Sequence, residues 1–191
     1  MITPREFEEV WEKGDYRRGS TCQRLVPLLS QLIPKGSTIN DYGSGTGRAE
    51  ILLLEKGYSV NMVDFASNAL EEATRALIDG ERLTYCISPL ECLPDDFPKA
   101  EWGICINVLM TVDPDKLDSI MGEMRRTCDN IIIEFYDRPD VRLGKDLTTV
   151  KGDMAFWNKK VAEFWPFVVS MNSPEQGRYI TIGTVNAPDT V

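Results

Sequence analysis

"INDYGSGTGRAEILLLEKGYSVNMVDFA" (Ile39 to Ala66) sets three glycines at alternate positions, Gly43, Gly45 and Gly47, between one carboxylate at Asp41 and another at Asp64. The stretch "STIND" (37–41) reads as a strand, "GRAEILLLEKG" (47–57) as a helix stopped by Gly57, and "YSVNMVD" (58–64) as a second strand. A strand, a glycine-rich turn and a helix make a nucleotide cradle, because backbone without side chains lets a ligand approach closely. The competing reading is a tight turn with no ligand, which three alternating glycines argue against.

Dinucleotide sites carry G-x-G-x-x-G/A. Counted from Gly43 the third position is Arg48, and counted from Gly45 it is Glu50, so both registers fail. A long side chain at either place would crowd the helix–sheet contact that such sites keep small. What stands here instead is acid-x-G-x-G-x-G: Asp41-Tyr42-Gly43-Ser44-Gly45-Thr46-Gly47.

Outward from this unit, helical and strand patterns alternate. Residues 4–12 predict an amphipathic helix with Phe7, Val10 and Trp11 on one face, and 21–33 a helical pattern interrupted at Pro27. Ser67 caps a predicted helix running to Ile78. Strands follow at 82–88 and 102–109, then a helix from Pro114 to Cys128 and a strand at 130–137. A long loop (138–151) leads to a helix at 153–165, and the runs 167–173 and 178–185, joined by "PEQG", predict an antiparallel hairpin. The pattern specifies an α/β fold: a seven-stranded, mostly parallel, doubly wound sheet with a C-terminal antiparallel hairpin and helices on both faces. One domain spans 1–191, with 1–36 as a helical cap segment and 37–185 as the core.

Composition narrows the function. At 191 residues and 42% apolar the chain can bury a substantial core. Twenty-one basic against thirty acidic residues leave a net charge of −9, which keeps the protein soluble and opposes tracking a nucleic-acid backbone. Arg17-Arg18 and Arg125-Arg126 are dense basic groups, and both read most simply as solvated surface. Five cysteines without CxxC spacing predict neither a disulfide framework nor a zinc knuckle, but reduced thiols. Histidine is absent, which removes imidazole catalysis, histidine-ligated metals and Ser-His-Asp chemistry; no metal site is expected. No apolar run approaches a membrane span and the N-terminus lacks a signal-peptide core, so the expected location is the cytoplasm.

From about residue 16 to 185, on its glycine motif, the acid after the second strand and the terminal hairpin, the chain resembles the class I, Rossmann-type S-adenosylmethionine-dependent methyltransferases. The resemblance implies that the loop from Tyr42 through Gly43, Ser44, Gly45 and Gly47 lies under the methionine part of S-adenosylmethionine, with Asp41 near its ammonium group. Asp64, seventeen residues after Gly47, would take both ribose hydroxyls, and Phe65 would pack on adenine. In "CISPLECLP", Ser88 stands where the family often has an acidic adenine contact, with Leu90 beside it. "DYRRGS" (15–20) sits where related enzymes fold a segment over the cofactor, so that Arg17 or Arg18 pairs with the methionine carboxylate or else remains a surface arginine.

Methyl transfer is an in-line displacement, so the protein chiefly aligns nucleophile and methyl, and a base is needed only when a proton must leave early. Ligands of open α/β sheets collect beyond the carboxyl ends of the strands. That puts Asn107 beside both cofactor and acceptor, with Tyr136 and Asp137 facing the acceptor. Met110 and Thr111 near Asn107 are neutral, and no strong base stands in that stretch. Glu134 reads either as a desolvated base or as a strand-end acid paired with a cation. Loop 138–151 with Phe156 and Trp157 would form an acceptor lid, although Trp157 and Phe164 equally suit a core, and Trp165 suits a core better. The Asp/Asn/Ser-Pro-Pro-aromatic motif of DNA amino-methyltransferases and the Pro-Cys nucleophile of cytosine-C5 enzymes are both missing. The expected partner is therefore a small molecule or modest-sized polar acceptor, with nucleic acid disfavoured. Two other readings stay open: a cofactor-binding but catalytically idle regulator, and another reaction on the same cofactor, such as aminopropyl transfer or lysis.

Overall fold

The structure is a computed structural model describing residues 4–13, 17, 22–136, 139, 146–174 and 176–187. Seven strands form one sheet: β1 (Thr38–Tyr42), β2 (Ser59–Asp64), β3 (Leu83–Ile87), β4 (Ala100–Ile106), β5 (Cys128–Tyr136), β6 (Phe167–Asn172) and β7 (Arg178–Thr184). Their order is β3-β2-β1-β4-β5-β7-β6, and only β7 runs against the other six. The chain winds outward from β1 to β3 and returns to β4 on the other side. The crevice at this reversal, beyond the ends of β1 and β4, is where ligands of such sheets bind.

Alternation of side chains along the strands divides the core into two layers. Ile39, Val60, Met62, Ile104, Ile106 and Ile132 meet helices α2 (Val26–Leu32) and α3 (Arg48–Glu55). Tyr42, Cys105, Ile131, Ile133 and Phe135 meet α5 (Leu117–Thr127) and α6 (Met154–Ala162). Asn40, Asn61 and Thr84 sit opposite one another across β1, β2 and β3 and are joined by 2.9 Å hydrogen bonds, a polar ladder that fixes the register. The α1 helix (Pro4–Glu12) packs through Trp11 on Ala66 and Ala69. Among the described residues no helix is long and apolar enough to cross a membrane.

Several boundaries differ from the pattern. Pro27 does not bend a helix. A 3-10 turn (Cys22–Leu25) precedes α2, and the proline sits in the helix's first turn, where a missing N–H breaks no ladder bond. Ser67 caps nothing: its hydroxyl donates to Glu8, and only one short helix, α4 (Glu72–Arg75), forms. The apolar run at 102–109 is cut at Asn107, which adopts φ 60°, and Leu109–Thr111 form a 3-10 turn. Asp137 lies outside the described residues.

Candidate functional site

Gly43, Gly45 and Gly47 all take positive φ, 83°, 57° and 74°, a region closed to most side chains. Their surroundings are tight as well. A Cβ on Gly43 would stand 2.4 Å from Val108, one on Gly45 2.9 Å from Trp11, and one on Gly47 2.5 Å from Thr74. The loop is held from below: Gly43 and Ser44 donate to Val63 O at 2.8 and 3.2 Å. Asp64 holds it from the side, accepting from Gly45 N at 2.9 Å and from Ala66 N at 2.8 Å. Burial pushes the Asp64 carboxyl up, and these N–H donors pull it part of the way back.

Two buried polar atoms at this loop lack partners among the described residues, Ser44 Oγ and Asp41 Oδ2. An unpaired buried polar atom is costly, so a native protein supplies it with a ligand or a proton. The ammonium and carboxylate of an amino-acid head group would fit here, and in that sense the residues present suit the methionine end of S-adenosylmethionine. Glu50, at the start of α3, is fully buried beside Asp41, and among the described residues neither of its oxygens has a well-formed hydrogen bond. Burial drives both carboxyls up, Asp41 further because Glu50 lies beside it.

A raised pKa in the folded state means that the fold keeps a proton the unfolded chain has already given up. The contribution of Glu50 is therefore lost as pH rises from the ordinary carboxylate range (about 4) through the raised value. Glu50→Gln, neutral at every pH, should raise the melting temperature of the ligand-free protein more at pH near 8 than near 5. A gap independent of pH would contradict the buried acid.

The other site candidates occupy distinct places. The Tyr42 ring is buried in the opposite core layer, its hydroxyl 2.7 Å from Thr127 Oγ1, so only its backbone adjoins the loop. Phe65 meets Phe7 of α1 edge-on at 5.1 Å. Ser88 is buried, with its hydroxyl donating to Cys92 O at 3.0 Å, and Leu90 is a core residue. Arg17 donates to Ala69 O at 3.0 Å, to Asn68 O and to Trp11 O, which ties the cap segment to the loop after β2. Arg18 lies outside the described residues. Arg48, one of the two residues that spoil the dinucleotide motif, forks onto Glu71 instead of entering the helix–sheet contact.

At the end of β4 and β5 the dominant group is Glu134, fully buried. It accepts from Arg24 Nη2 at 2.5 Å, Asn107 Nδ2 at 2.9 Å, Ser173 Oγ at 2.5 Å and Arg178 Nη1 at 3.3 Å. The left-handed turn at Asn107 aims that amide at Glu134, while Asn107 N donates to Glu134 O at 3.1 Å. A carboxylate with four donors is a structural hub, the paired-acid alternative of the sequence reading. Beyond it, Tyr136, Pro139, Asp146, Thr148, Val150 and Lys151 line a cavity of about 170 Å³. Trp157 and Trp165 are fully buried, Trp157 stacked on Phe135 at 4.1 Å, so Trp157 belongs to the core and not to a lid; Phe156 is exposed. The position of Trp11 over Gly45, and the roles of Glu50 and Arg24, had no local sign in the sequence beyond their residue types.

Residues 39–130 match the family model described as "Methyltransferase domain". A search of curated proteins finds no sequence match. Among solved structures the chain is similar to magnesium protoporphyrin IX methyltransferase from Synechocystis PCC 6803 with bound S-adenosylhomocysteine (18% identity, 85% of this chain and 81% of that one, TM-score 0.64). It is also similar to 1,6-didemethyltoxoflavin-N1-methyltransferase from Burkholderia thailandensis (16%, 96% and 90%, TM-score 0.70), and to the PH0226 protein from Pyrococcus horikoshii OT3 (17%, 89% and 91%, TM-score 0.70). At these identities the structural likeness establishes the fold.

Proposed function

We propose, for a chain that carries a class I S-adenosylmethionine-dependent methyltransferase domain, that it transfers a methyl group to a small-molecule or modest-sized polar acceptor by in-line displacement. The observation that carries this reading is the glycine loop. Three left-handed glycines bring bare backbone beside two orphaned buried oxygens, Ser44 Oγ and Asp41 Oδ2, with Asp64 at the loop's edge. The bound cofactor supplies an activated methyl on its sulfonium; the chain supplies place and orientation.

In this assignment Ser44 and Asp41 hold the amino-acid head group, and each Asp64 oxygen has a second lone pair for a ribose hydroxyl. Phe65 adjoins the adenine side, and Ser88 contributes through its backbone, its hydroxyl being engaged with Cys92 O. Arg17 holds the cap segment closed. Asn107, fixed by Glu134, marks the boundary between cofactor and acceptor. Tyr136 opens onto the acceptor cavity, and Asp137 follows it directly in the chain. The substrates that two similar proteins are named for, a porphyrin and a toxoflavin precursor, support a small-molecule acceptor, as does the charge of −9 against nucleic acid.

Glu134 is committed to four donors, and Met110 and Thr111 are buried and neutral. The acceptor that suits this site has a nucleophile that needs no early loss of a proton to a strong base. The same observation favours the second reading, a cofactor-binding protein without turnover. Calorimetry with S-adenosylhomocysteine, followed by assay of its formation from S-adenosylmethionine with a panel of small acceptors, decides between them: both readings bind, only the enzyme turns over. Asp64→Ala should weaken S-adenosylhomocysteine binding by about 1.5–3 kcal/mol, the scale of hydrogen bonds to a charged group. An unchanged Kd would rule out the ribose role.

A further inference from the structure

Glu50 is not explained by the glycine motif. It stands in the first turn of α3, one of the most buried acids in the protein at 0% exposure, and its neighbour Asp41 is 2% exposed. Among the described residues neither Glu50 oxygen, nor Asp41 Oδ2, has a well-formed hydrogen bond, and the backbone N–H of Glu50 pulls on its own carboxyl less than burial pushes it. Ligand-type atoms of Asp41, Glu50 and Cys22 all lie within 4.8 Å of one another. Two buried carboxylates in contact repel strongly, whereas one proton between them turns the contact into a hydrogen bond.

We propose that Asp41 and Glu50 form one carboxyl pair that holds a proton in the ligand-free site and releases it when the cationic ammonium of S-adenosylmethionine reaches the loop. Glu50 is then a positioning residue for the cofactor, and cofactor binding is a proton-releasing event. The inference rests on the methyltransferase reading above. The step balances simply: the O–H of the pair is lost to bulk water, and the ammonium compensates the charge left behind.

The surroundings favour a proton over a permanent cation. Among the described residues the titratable groups acting on the pair are Cys22 from the 3-10 turn, Asp64 from β2 and Cys105 from β4, and Arg24 and Glu134 stand behind Cys22. Burial and the nearby acids push the Cys22 thiol well up, so it brings no negative charge. Arg24, the one cation of this set, is drawn onto Glu134 at 2.5 Å. Among the described residues the pair is thus left without a resident counter-charge, and burial raises both of its acids.

The test is calorimetric titration of the full chain with S-adenosylhomocysteine, which keeps the ammonium and cannot react. It is run with a chelator, at several pH values between about 6 and 8.5, in buffers of different ionisation enthalpy. Close to one proton should be released per site, and affinity should rise by up to about tenfold per pH unit. Glu50→Gln should still bind, but with most of that release and pH dependence gone. The difference between the two proteins reads what Glu50 contributes to the release.

Binding by the wild type without proton release overturns the proposal and leaves the methyltransferase reading intact. The same release from Glu50→Gln also overturns it. So does zinc that raises the melting temperature of the wild type but not of the variant, because a metal would then sit between the carboxyls. A folded wild type that binds at no pH overturns the methyltransferase reading and this inference together. Should Glu50→Gln fail to fold, the wild-type proton count decides alone.

Discussion

Gly45→Val is expected to abolish measurable S-adenosylhomocysteine binding, weakening it by at least about 100-fold (~2.7 kcal/mol), while the protein still folds. Two costs combine. At φ 57° a β-branched residue is strained by roughly 1–2 kcal/mol, which the loop would relieve by moving. Its Cβ would also lie 2.9 Å from Trp11, and two further methyl groups would push either into that indole or into the space a ligand must enter. Gly45 N is one of the donors that hold Asp64, so displacing the loop also misplaces the proposed ribose acceptor. Gly80→Ala is the matching control: its φ is +78°, but nothing lies within 4 Å of the added Cβ. It should cost a comparable backbone strain and leave binding unchanged. Calorimetry on both variants separates strain from site, and normal binding by Gly45→Val would remove the loop from the cofactor site.

The residues that announced the fold are those whose signals are local. Gly43, Gly45 and Gly47 sit within five positions, the β-branched runs of β1, β2 and β5 carry their own strand signature, and "PEQG" marks the turn between β6 and β7. All of these lead to the observed seven-stranded sheet. What sequence did not reveal depends on partners far away in the chain. Arg24 meets Glu134 across 110 positions, and Arg17 meets Ala69 across 52. No window of periodicity reports which acid faces which base. Asn107 is an intermediate case: its apolar neighbours extend the strand pattern, yet the amide's bond to Glu134 accompanies a left-handed turn that ends the strand at Ile106. In the sequence Glu50 stands out only as a misfit to the dinucleotide motif. The physical reason it can be buried there, a neighbouring carboxyl to share a proton with, is a tertiary fact.

Glu134→Ala is expected to destabilise the protein by about 3 kcal/mol, the low end for breaking a buried ion pair, because Arg24 and Arg178 keep 21% and 12% of their side chains exposed. For a chain of this size that is a fall in melting temperature of about 6–12 °C. The loss exceeds an ordinary surface pair because one carboxylate serves four donors from four different segments: the cap turn, the end of β4, the residue after β6 and the start of β7. Removing it leaves two guanidinium groups near one another and takes away the carboxylate that the Asn107 amide holds, although the backbone bond from Asn107 N to residue 134 remains. Glu134→Gln distinguishes a hub from a general base. A hub needs the charge to hold its arginines, so the amide should lose most of the same stability and weaken binding of S-adenosylhomocysteine along with it. A base needs the charge only for turnover, so the amide would fold as well as the wild type, bind normally and lose kcat. Thermal melts and calorimetry on Glu134→Gln, set beside its turnover, therefore assign the role. A stable, tightly binding but inactive variant would make Glu134 the proton acceptor and return the end of β5 to the chemistry itself.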